Sequence, residues 1–495
     1  MPLLRLIAEG VGPFERLDVD LSDGKGNPHL GPHIFAGVNG SGKSTVLRAL
    51  AWVMDAGESG FRYADWSHLT TGYEHSRALV VIQPPGAAEC ARACVKGTDK
   101  SDPEVLAGWA KWVLSGQGFD SRLSDSFEVE PSLWLGTATF HLSNVAGTRA
   151  LEQKAAPVWE DQSGTTRLVS PDKVETDRAA ALLNIASYSP SRALRHVADV
   201  DISKRLSSAH ENSLAFESTV QNEFVQSWLL SLYSKRAISR ERRQSGDQYT
   251  RSLDRFENAL RLLYGKSVSF DVEIEPSFQP RLKAFGHNLD FSQLPDGVRS
   301  TVGWIADFMM RQDLVAWDRR LEGRRPGVLL LDEVDAHLHP LWQRRLLPAM
   351  REALPDVQIL VTSHSPFVIS SCPNSRVHVL ELDESGHAHA RPPVDSPIGE
   401  SVTTTLKEIF GVDSRFDVLT ERELDEWNSL KKREAAGSLP AEDKSRLEEL
   451  TTTLADRSEE LRSIVASPLT IPETVLRSLI AGETKPHPVK RRKRA

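Results

Sequence analysis

The chain has 495 residues, which at about 150 residues per domain suggests roughly three domains. Hydrophobic residues make up 40% and charged residues 26%, an ordinary globular composition that excludes a wholly disordered chain. Lys and Arg number 60 against 68 Asp and Glu, for a net charge of −8, which excludes a uniformly basic nucleic-acid coat protein.

No apolar run approaches the ~18 residues of a membrane helix, so no membrane partner is expected. Residues 1–21 already carry Arg5, Glu9, Glu15, Asp18 and Asp20, which does not fit a signal peptide. Cys90, Cys94 and Cys372 supply neither a disulfide framework nor a zinc set, and a reducing cytoplasm is the expected compartment.

In chain order, residues 3–8 read as a strand, and residues 16–21 alternate like a half-buried one. A turn cluster at 23–28 follows. His33-Ile34-Phe35-Ala36 is a short buried strand that runs into Gly37-Val38-Asn39-Gly40-Ser41-Gly42-Lys43-Ser44-Thr45, and a helix is predicted over 43–54. Residues 78–82 and 133–142 read as strands, and helical spacing (Trp228, Leu229, Leu232; Phe256, Leu260, Leu263) fills 209–264. Strands return at 268–274, 328–331 and 357–362; the last two are aliphatic runs bracketed by helical patterns, as in a parallel sheet. The C-terminal region is helical, with apolar spacing at Leu424, Trp427 and Leu430 and again at Leu447, Leu450, Leu454, Leu461 and Ile464. A turn at 437–440 divides the two sets, and a last short helix is expected over 470–482.

Residues 37–44 fit G-x-x-x-x-G-K-[ST] without mismatch, after a strand and at the start of a helix. In that setting Gly37, Asn39, Gly40, Ser41 and Gly42 curl backbone N–H groups around phosphate oxygens. Lys43 sets a point charge at the β- and γ-phosphates, Ser44 supplies a hydroxyl to Mg²⁺, and Thr45 continues the helix whose positive end faces the anion. Gly327-Val328-Leu329-Leu330-Leu331-Asp332-Glu333 is a buried strand ending in two acids. Asp332 suits a metal-holding role and Glu333 the polarising of an attacking water. Residues 357–362 are a second buried strand, ending in Ser363-His364, and a histidine there can reach a γ-phosphate.

The order of these motifs, with Leu294-Pro295-Asp296-Gly297-Val298-Arg299-Ser300 between the P-loop and the acids, resembles the ABC-type ATPase heads of the SMC, RecF and OLD group. The strings at 331–340 and 362–366 resemble that group's Walker B, D-loop and H-loop. The loop at 294–300 departs from the transporter signature: Pro295 stands where a serine is usual, removing a hydroxyl donor, and Ser300 lies beyond the usual glutamine. The resemblance implies an α/β P-loop head that dimerises around ATP and Mg²⁺, with Lys43, Glu333 and His364 catalytic. It implies that Asp296, Gly297 and Ser300 reach the nucleotide of the other subunit, and that a strand-end glutamine contributes to the metal site, for which Gln83 is the candidate. Residues 294–307, 188–192 and 409–413 are further similar to the PtuA ATPases of Septu and retron anti-phage systems, which implies a homo-oligomer working with an HNH nuclease partner.

One head is therefore expected from residues 1–90 and 268–400, with a β-rich lobe and helical arm inserted at 91–267. A helical partner-binding region is expected at 401–484 and a basic tail at 485–495. The tail holds six basic residues and no acid, so the rest of the chain, with 54 basic against 68 acidic residues, carries −14. Residues 231–256 hold Lys235, Arg236, Arg240, Arg242, Arg243, Arg251 and Arg255 and could contact DNA or RNA phosphates, or form an ordinary solvated helix face. A DNA-repair ATPase acting directly on DNA is the competing function. An OLD-type nuclease is less favoured, because no D-x-D follows His364.

Overall fold

The computed structural model describes residues 2–25, 27–54, 76–82 and 109, and residues 184–466 except 193, 196, 198–199, 244, 266–267, 276, 316, 318–322 and 413–415. It also gives the backbone of the strands within 91–168. The chain divides into two compact units, Met1–Gly411 and Val412–Ala495.

In the first unit, β1 (Leu3–Val11), β2 (Phe14–Asp20), β4 (Arg77–Ile82), β5 (Ala91–Gly97), β6 (Ser132–Trp134) and β7 (Thr137–Leu142) form a six-stranded antiparallel sheet in the order β2-β1-β4-β5-β7-β6. The second sheet is built around β3 (His33–Gly37). Its order is β10 (Ile185–Tyr188), β14 (Gly327–Leu331), β15 (Val357–Thr362), β3, β16 (Arg376–Leu382) and β17 (Ala388–Ala390), and β18 (Val394–Asp395) also pairs with β16. The strands β10, β14, β15, β3 and β16 are mutually parallel, so their C-terminal ends share one edge. Crevices at that edge are where α/β sheets bind ligands. Smaller sheets comprise β8 (Val158–Glu160) with β9 (Thr166–Leu168), and β11 (Ser269–Glu273), β12 (Gln279–Ala284) and β13 (His287–Leu289).

The continuous apolar runs are buried on both faces, and strand alternation divides them between two cores. Val328, Leu330, Leu360 and Phe35 face α1 (Lys43–Met54) and the antiparallel sheet, sharing a core with Val46, Leu50, Leu6 and Val80. Leu329, Leu331, Ile359, Val361 and Ile34 face the opposite core. That second core is covered by α2 (Asn222–Glu241), α3 (Asp247–Tyr264), α4 (Asp296–Leu314) and α5 (Pro340–Ala353), through residues such as Leu229, Phe256, Trp304 and Leu347. A buried ion pair, Arg311 Nε to Asp307 Oδ2 at 2.7 Å, anchors α4. Arg311 also donates to the carbonyls of Ala209, Glu211 and Thr219, and Tyr188 Oη donates to Asp307 Oδ2 at 2.7 Å.

This arrangement corrects the expected insertion at 91–267. β10 is a strand of the central sheet, paired with β14 in register Ile185↔Val328 to Tyr188↔Leu331. The helices at 222–264 do not form a separate arm. Their apolar faces (Val225, Leu229, Leu230; Leu253, Phe256, Leu260) are fully buried in the head core. The boundary expected at 400 also moves: after the short α6 (Pro366–Ile369), α7 (Val402–Phe410) belongs to the first unit and ends at Gly411, whose φ of +67° closes the helix in the left-handed region.

The second unit holds α8 (Val418–Ala435), α9 (Ala441–Arg457) and α10 (Glu459–Ala466). Its own core contains Leu424, Trp427, Leu430, Leu447, Leu450, Leu454 and Leu461. Asp417 caps α8 by accepting from the amides of Leu419 and Thr420 at 3.1 Å, and Trp427 Nε1 donates to Thr451 Oγ1 at 2.8 Å. The helix expected at 470–482 and the basic tail lie outside the described residues. No helix among the described residues is long and apolar enough to cross a membrane.

Candidate functional site

The P-loop lies at the C-terminal end of β3, and its glycines are structural necessities. Gly42 has φ +86°, and a Cβ there would sit 2.4 Å from the Phe14 ring; at Gly37 a Cβ would lie 2.3 Å from the Leu380 carbonyl. Only glycine lets the backbone turn this closely. Gly40, at φ +83°, has nothing within 4 Å of a would-be Cβ, and Asn39 and Gly40 form the exposed crest of the loop. Ser41 is fully buried, and its Oγ has no hydrogen-bond partner among the described residues. Lys43 Nζ spans the loop, donating to the carbonyls of Gly37 at 3.1 Å and Val38 at 2.8 Å. Burial lowers the Lys43 pKa; Asp332, Glu333 and Asp335 oppose that shift. Thr45 turns away from the loop and packs at Gly12.

Ser44 Oγ donates to Asp332 Oδ1 at 2.8 Å, and Thr362 Oγ1 donates to the same oxygen at 2.7 Å. The side chains that start α1, end β14 and end β15 thus meet at one carboxylate oxygen. This hard-oxygen set suits Mg²⁺. The unpartnered Ser41 hydroxyl and the open crest at Gly40 suit a phosphate, so the residues fit ATP with Mg²⁺.

Glu333 is exposed and takes φ +45°, a left-handed conformation that disfavours a side-chain-bearing residue. Three contacts hold it there. Its amide donates to Thr362 Oγ1 at 2.7 Å, and its carbonyl accepts from Arg192 Nη2 at 3.2 Å and from the Ala336 amide at 3.0 Å. Arg192 is buried, and its Nη1 donates to the carbonyls of Asp332 at 2.5 Å and Ser189 at 2.8 Å. Burial pulls its pKa down to about 10, while Asp332, Asp335 and Glu333 pull the other way. Arg192 and Thr362 lie in the strings 188–192 and 362–366 singled out by resemblance, but the sequence assigns neither a role in the site. The available signal is position, since Arg192 follows β10 by four residues and Thr362 ends the strand before His364.

His364 is half-buried. Burial first, and then Lys43, lower its pKa; Asp335, Glu333 and Asp332 raise it. The imidazole therefore shares the electrostatic field of the P-loop lysine and the paired acids.

The signature-like loop opens α4. A Cβ at Gly297 would lie 2.2 Å from the His337 carbonyl, so this glycine is required for packing against the turn after the acids. Ser300 is buried, with 4% exposure, whereas Asp296 is exposed and ion-paired with Arg299. The face offered outward at the helix start is Asp296 with Arg299, and Ser300 is turned inward. Gln83 lies outside the described residues.

The basic segment divides. Arg255 leaves the surface set, because it is partly buried against Gln312 (2.5 Å) and Asp313 (3.7 Å). Lys235 lies over the Tyr249 ring at 5.5 Å, and Arg236 over Tyr233 at 5.5 Å. Arg240, Arg242, Arg243 and Arg251 are exposed.

The P-loop, the paired acids and the strand-end histidine share one sheet edge, the arrangement of a P-loop ATPase fold, and with the signature-like loop they resemble the ATPase heads of the SMC and RecF group. More narrowly, the chain resembles ATPases of anti-phage defence systems. It is 28% identical to "Septu protein PtuA" of Bacillus thuringiensis over 194 residues, covering 36% of this chain and 46% of that protein. It is 27% identical over 124 residues to "Retron Vc95 probable ATPase" of Vibrio cholerae serotype O1 biovar El Tor, covering 24% of this chain and 23% of that one. It is 32% identical over 96 residues to "Retron Ec83 probable ATPase" of Escherichia coli, covering 19% of this chain and 17% of that one. The matched spans thus cover less than half the length of each of these relatives. Residues 199–370 match the family described as "AAA domain, putative AbiEii toxin, Type IV TA system", a span that includes Asp332, Glu333 and His364 but begins after the P-loop. Among solved structures, an SMC head domain from Thermotoga maritima aligns over 79% of this chain and 99% of that one, with a TM-score of 0.37 and 15% identity. An SMC head bound to the C-terminal winged-helix domain of ScpA aligns over 80% of this chain and 98% of that one, with a TM-score of 0.43 and 12% identity.

Proposed function

We propose that the protein is a cytoplasmic ATPase that binds ATP with Mg²⁺, dimerises head to head around it, and by that switch controls an HNH nuclease partner in anti-phage defence. The observation that carries the reading is the convergence of Ser44, Thr362 and Asp332 on one oxygen beside a backbone-strained Glu333. In this reading the P-loop amides and Lys43 hold the phosphates, and Ser44 and Asp332 hold Mg²⁺, which when bound neutralises developing charge on the β- and γ-oxygens. Glu333 accepts a proton from the attacking water, and neutral His364 orients at the γ-phosphate. Asp296 and Gly297 of the other subunit complete the site, and the buried Ser300 acts by packing. The defence role and the nuclease partner rest on the resemblance to the Septu and retron ATPases.

The test is Glu333→Gln. The variant should bind ATP, lose turnover by at least a hundredfold, and accumulate as a dimer in ATP when its mass is measured in solution. Wild-type turnover would remove Glu333 as the base, and a monomer at saturating ATP would remove the head-to-head switch. A second reading, an ATPase acting directly on DNA or RNA, is favoured by exposed Arg240, Arg242 and Arg243 at the turn between α2 and α3. ATP turnover stimulated by nucleic acid in the purified protein, and lost on replacing these three, would support it.

A further inference from the structure

Apart from the P-loop, the first unit carries a cleft of about 320 Å³ between residues 204–206, α2, α3 and the C-terminal end of α4. Five cations line it: Lys204, Arg205, Lys235, Arg251 and Arg325. Two are already neutralised, Lys204 by Glu223 at 2.5 Å and Arg325 by Asp313. Arg205, Lys235 and Arg251 have no carboxylate partner among the described residues, and Asp313 is the one acid of the wall. Three unpaired cations around one concave surface repel each other, and an anion relieves that repulsion.

The wall is also aromatic. Phe224, Trp228 and Tyr249 contribute rings, with Lys235 Nζ 5.5 Å from the centroid of Tyr249. The indole Nε1–H of Trp228, a wall residue, is buried and has no hydrogen-bond partner among the described residues. Buried donors are normally satisfied. The volume lies at the lower end of small-molecule sites.

We propose that this cleft is a second binding site, distinct from the P-loop, for a small phosphorylated molecule bearing a planar ring, that is, a free mononucleotide. Arg205, Lys235 and Arg251 take the phosphate, and the aromatic wall takes the ring. At about 320 Å³ the cleft has room for a single unit, whereas a strand-binding groove runs on over several nucleotides.

The experiment is equilibrium binding of radiolabelled AMP to the full chain, in wild type, Lys43→Ala, Arg251→Glu and the double variant. Arg251 is exposed, so its replacement is tolerated, and matched thermal melting of all four proteins verifies this. Saturable AMP binding is expected in Lys43→Ala, weakened at least tenfold in Arg251→Glu and in the double variant, and competed by inorganic phosphate. AMP binding that is lost in Lys43→Ala and untouched in Arg251→Glu would put all nucleotide at the P-loop and overturn the proposal. So would the absence of AMP binding at about 10 mM. So also would binding in which Arg251→Glu weakens a single-stranded oligonucleotide but not AMP, since the cleft is then a strand contact. A failed P-loop assignment has a different signature: ATP affinity unchanged by Lys43→Ala, with the Arg251 dependence of AMP intact.

Discussion

Replacing Arg192 with Met tests whether the turn that carries Glu333 is held by a buried guanidinium. The substitution keeps the aliphatic stem and deletes the donors to the carbonyls of Ser189, Asp332 and Glu333. Two effects on stability oppose each other. Leaving the carbonyls of Ser189 and Asp332 without this donor costs about 1–3 kcal/mol each, while that of Glu333 keeps the Ala336 amide. Against that, burial holds the Arg192 pKa down to about 10, a desolvation cost of about 3 kcal/mol that disappears with the charge. The net change is expected to stay below about 3 kcal/mol, so the protein should fold. The local effect is larger. Glu333 sits at φ +45°, its amide held by Thr362 and its carbonyl by Arg192 and the Ala336 amide, so losing Arg192 removes one of the two donors to that carbonyl and loosens the turn. A shift of about 1 Å in a catalytic group lowers rate by about a hundredfold. Steady-state ATP turnover should therefore fall about a hundredfold in Arg192→Met, with ATP affinity within about threefold of wild type, since the P-loop contacts are untouched. Arg192→Lys, with one ammonium for three carbonyls, should fall between. Turnover within threefold of wild type would refute the positioning role, and a parallel loss of ATP binding would show that the arginine maintains the whole site instead.

Lys43→Ala should weaken ATP binding by at least a hundredfold in equilibrium titration; unchanged affinity would refute the P-loop assignment. Ser44→Ala removes one oxygen of the Asp332 set and should raise the Mg²⁺ concentration needed for half-maximal turnover about tenfold, with little change in metal-free nucleotide binding. Because burial and Lys43 hold His364 below the ordinary histidine range, the ring is neutral at physiological pH. The acid limb of kcat/KM should lie below that range and vanish in His364→Ala, and a limb that persists there belongs to another group. His33 and His378, buried and joined at 3.0 Å beside the P-loop strand, are also held neutral by burial, His378 at a pKa of about 3. The unfolded chain then binds protons first, so stability is full above the unfolded histidine range and falls as pH drops through it, by about 1 kcal/mol per ring at pH 5.5. His378→Gln should halve this acid loss in melting curves between pH 8 and 5.5, and an unaltered profile would clear the pair.

The head was readable from sequence where burial is two-sided. The runs at 328–331 and 357–362 are aliphatic at every position because both faces are covered, and the structure divides Val328 and Leu330 from Leu329 and Leu331 between two cores. The P-loop was readable because its glycines answer to contacts that no other residue tolerates, Phe14 at Gly42 and Leu380 at Gly37. β10 was not readable. Four residues, Ile185 to Tyr188, with a serine among them, carry no periodicity, and only pairing with β14 makes them a strand. Composition misled at Arg255, which counts as surface charge in a basic stripe until Gln312 and Asp313 draw it inward.

Arg192 shows why the role of a positioning group escapes motif reading even where its string, 188–192, is singled out by resemblance. A motif records groups that touch the ligand, and their spacing is constrained because the ligand's dimensions are. A positioning group is constrained only to reach backbone carbonyls, which every residue has, so its partners leave no mark in sequence. At Gly297, which the signature-like motif does mark, the constraint comes chiefly from the main-chain oxygen of His337, forty residues on. In both cases the constrained quantity is a distance to backbone across elements, and it becomes visible when the turn after β14 is seen gripped on one side by Arg192 and overlaid on the other by the start of α4. That turn is thus the point at which the backbone carrying the acids and the start of the signature-like helix meet.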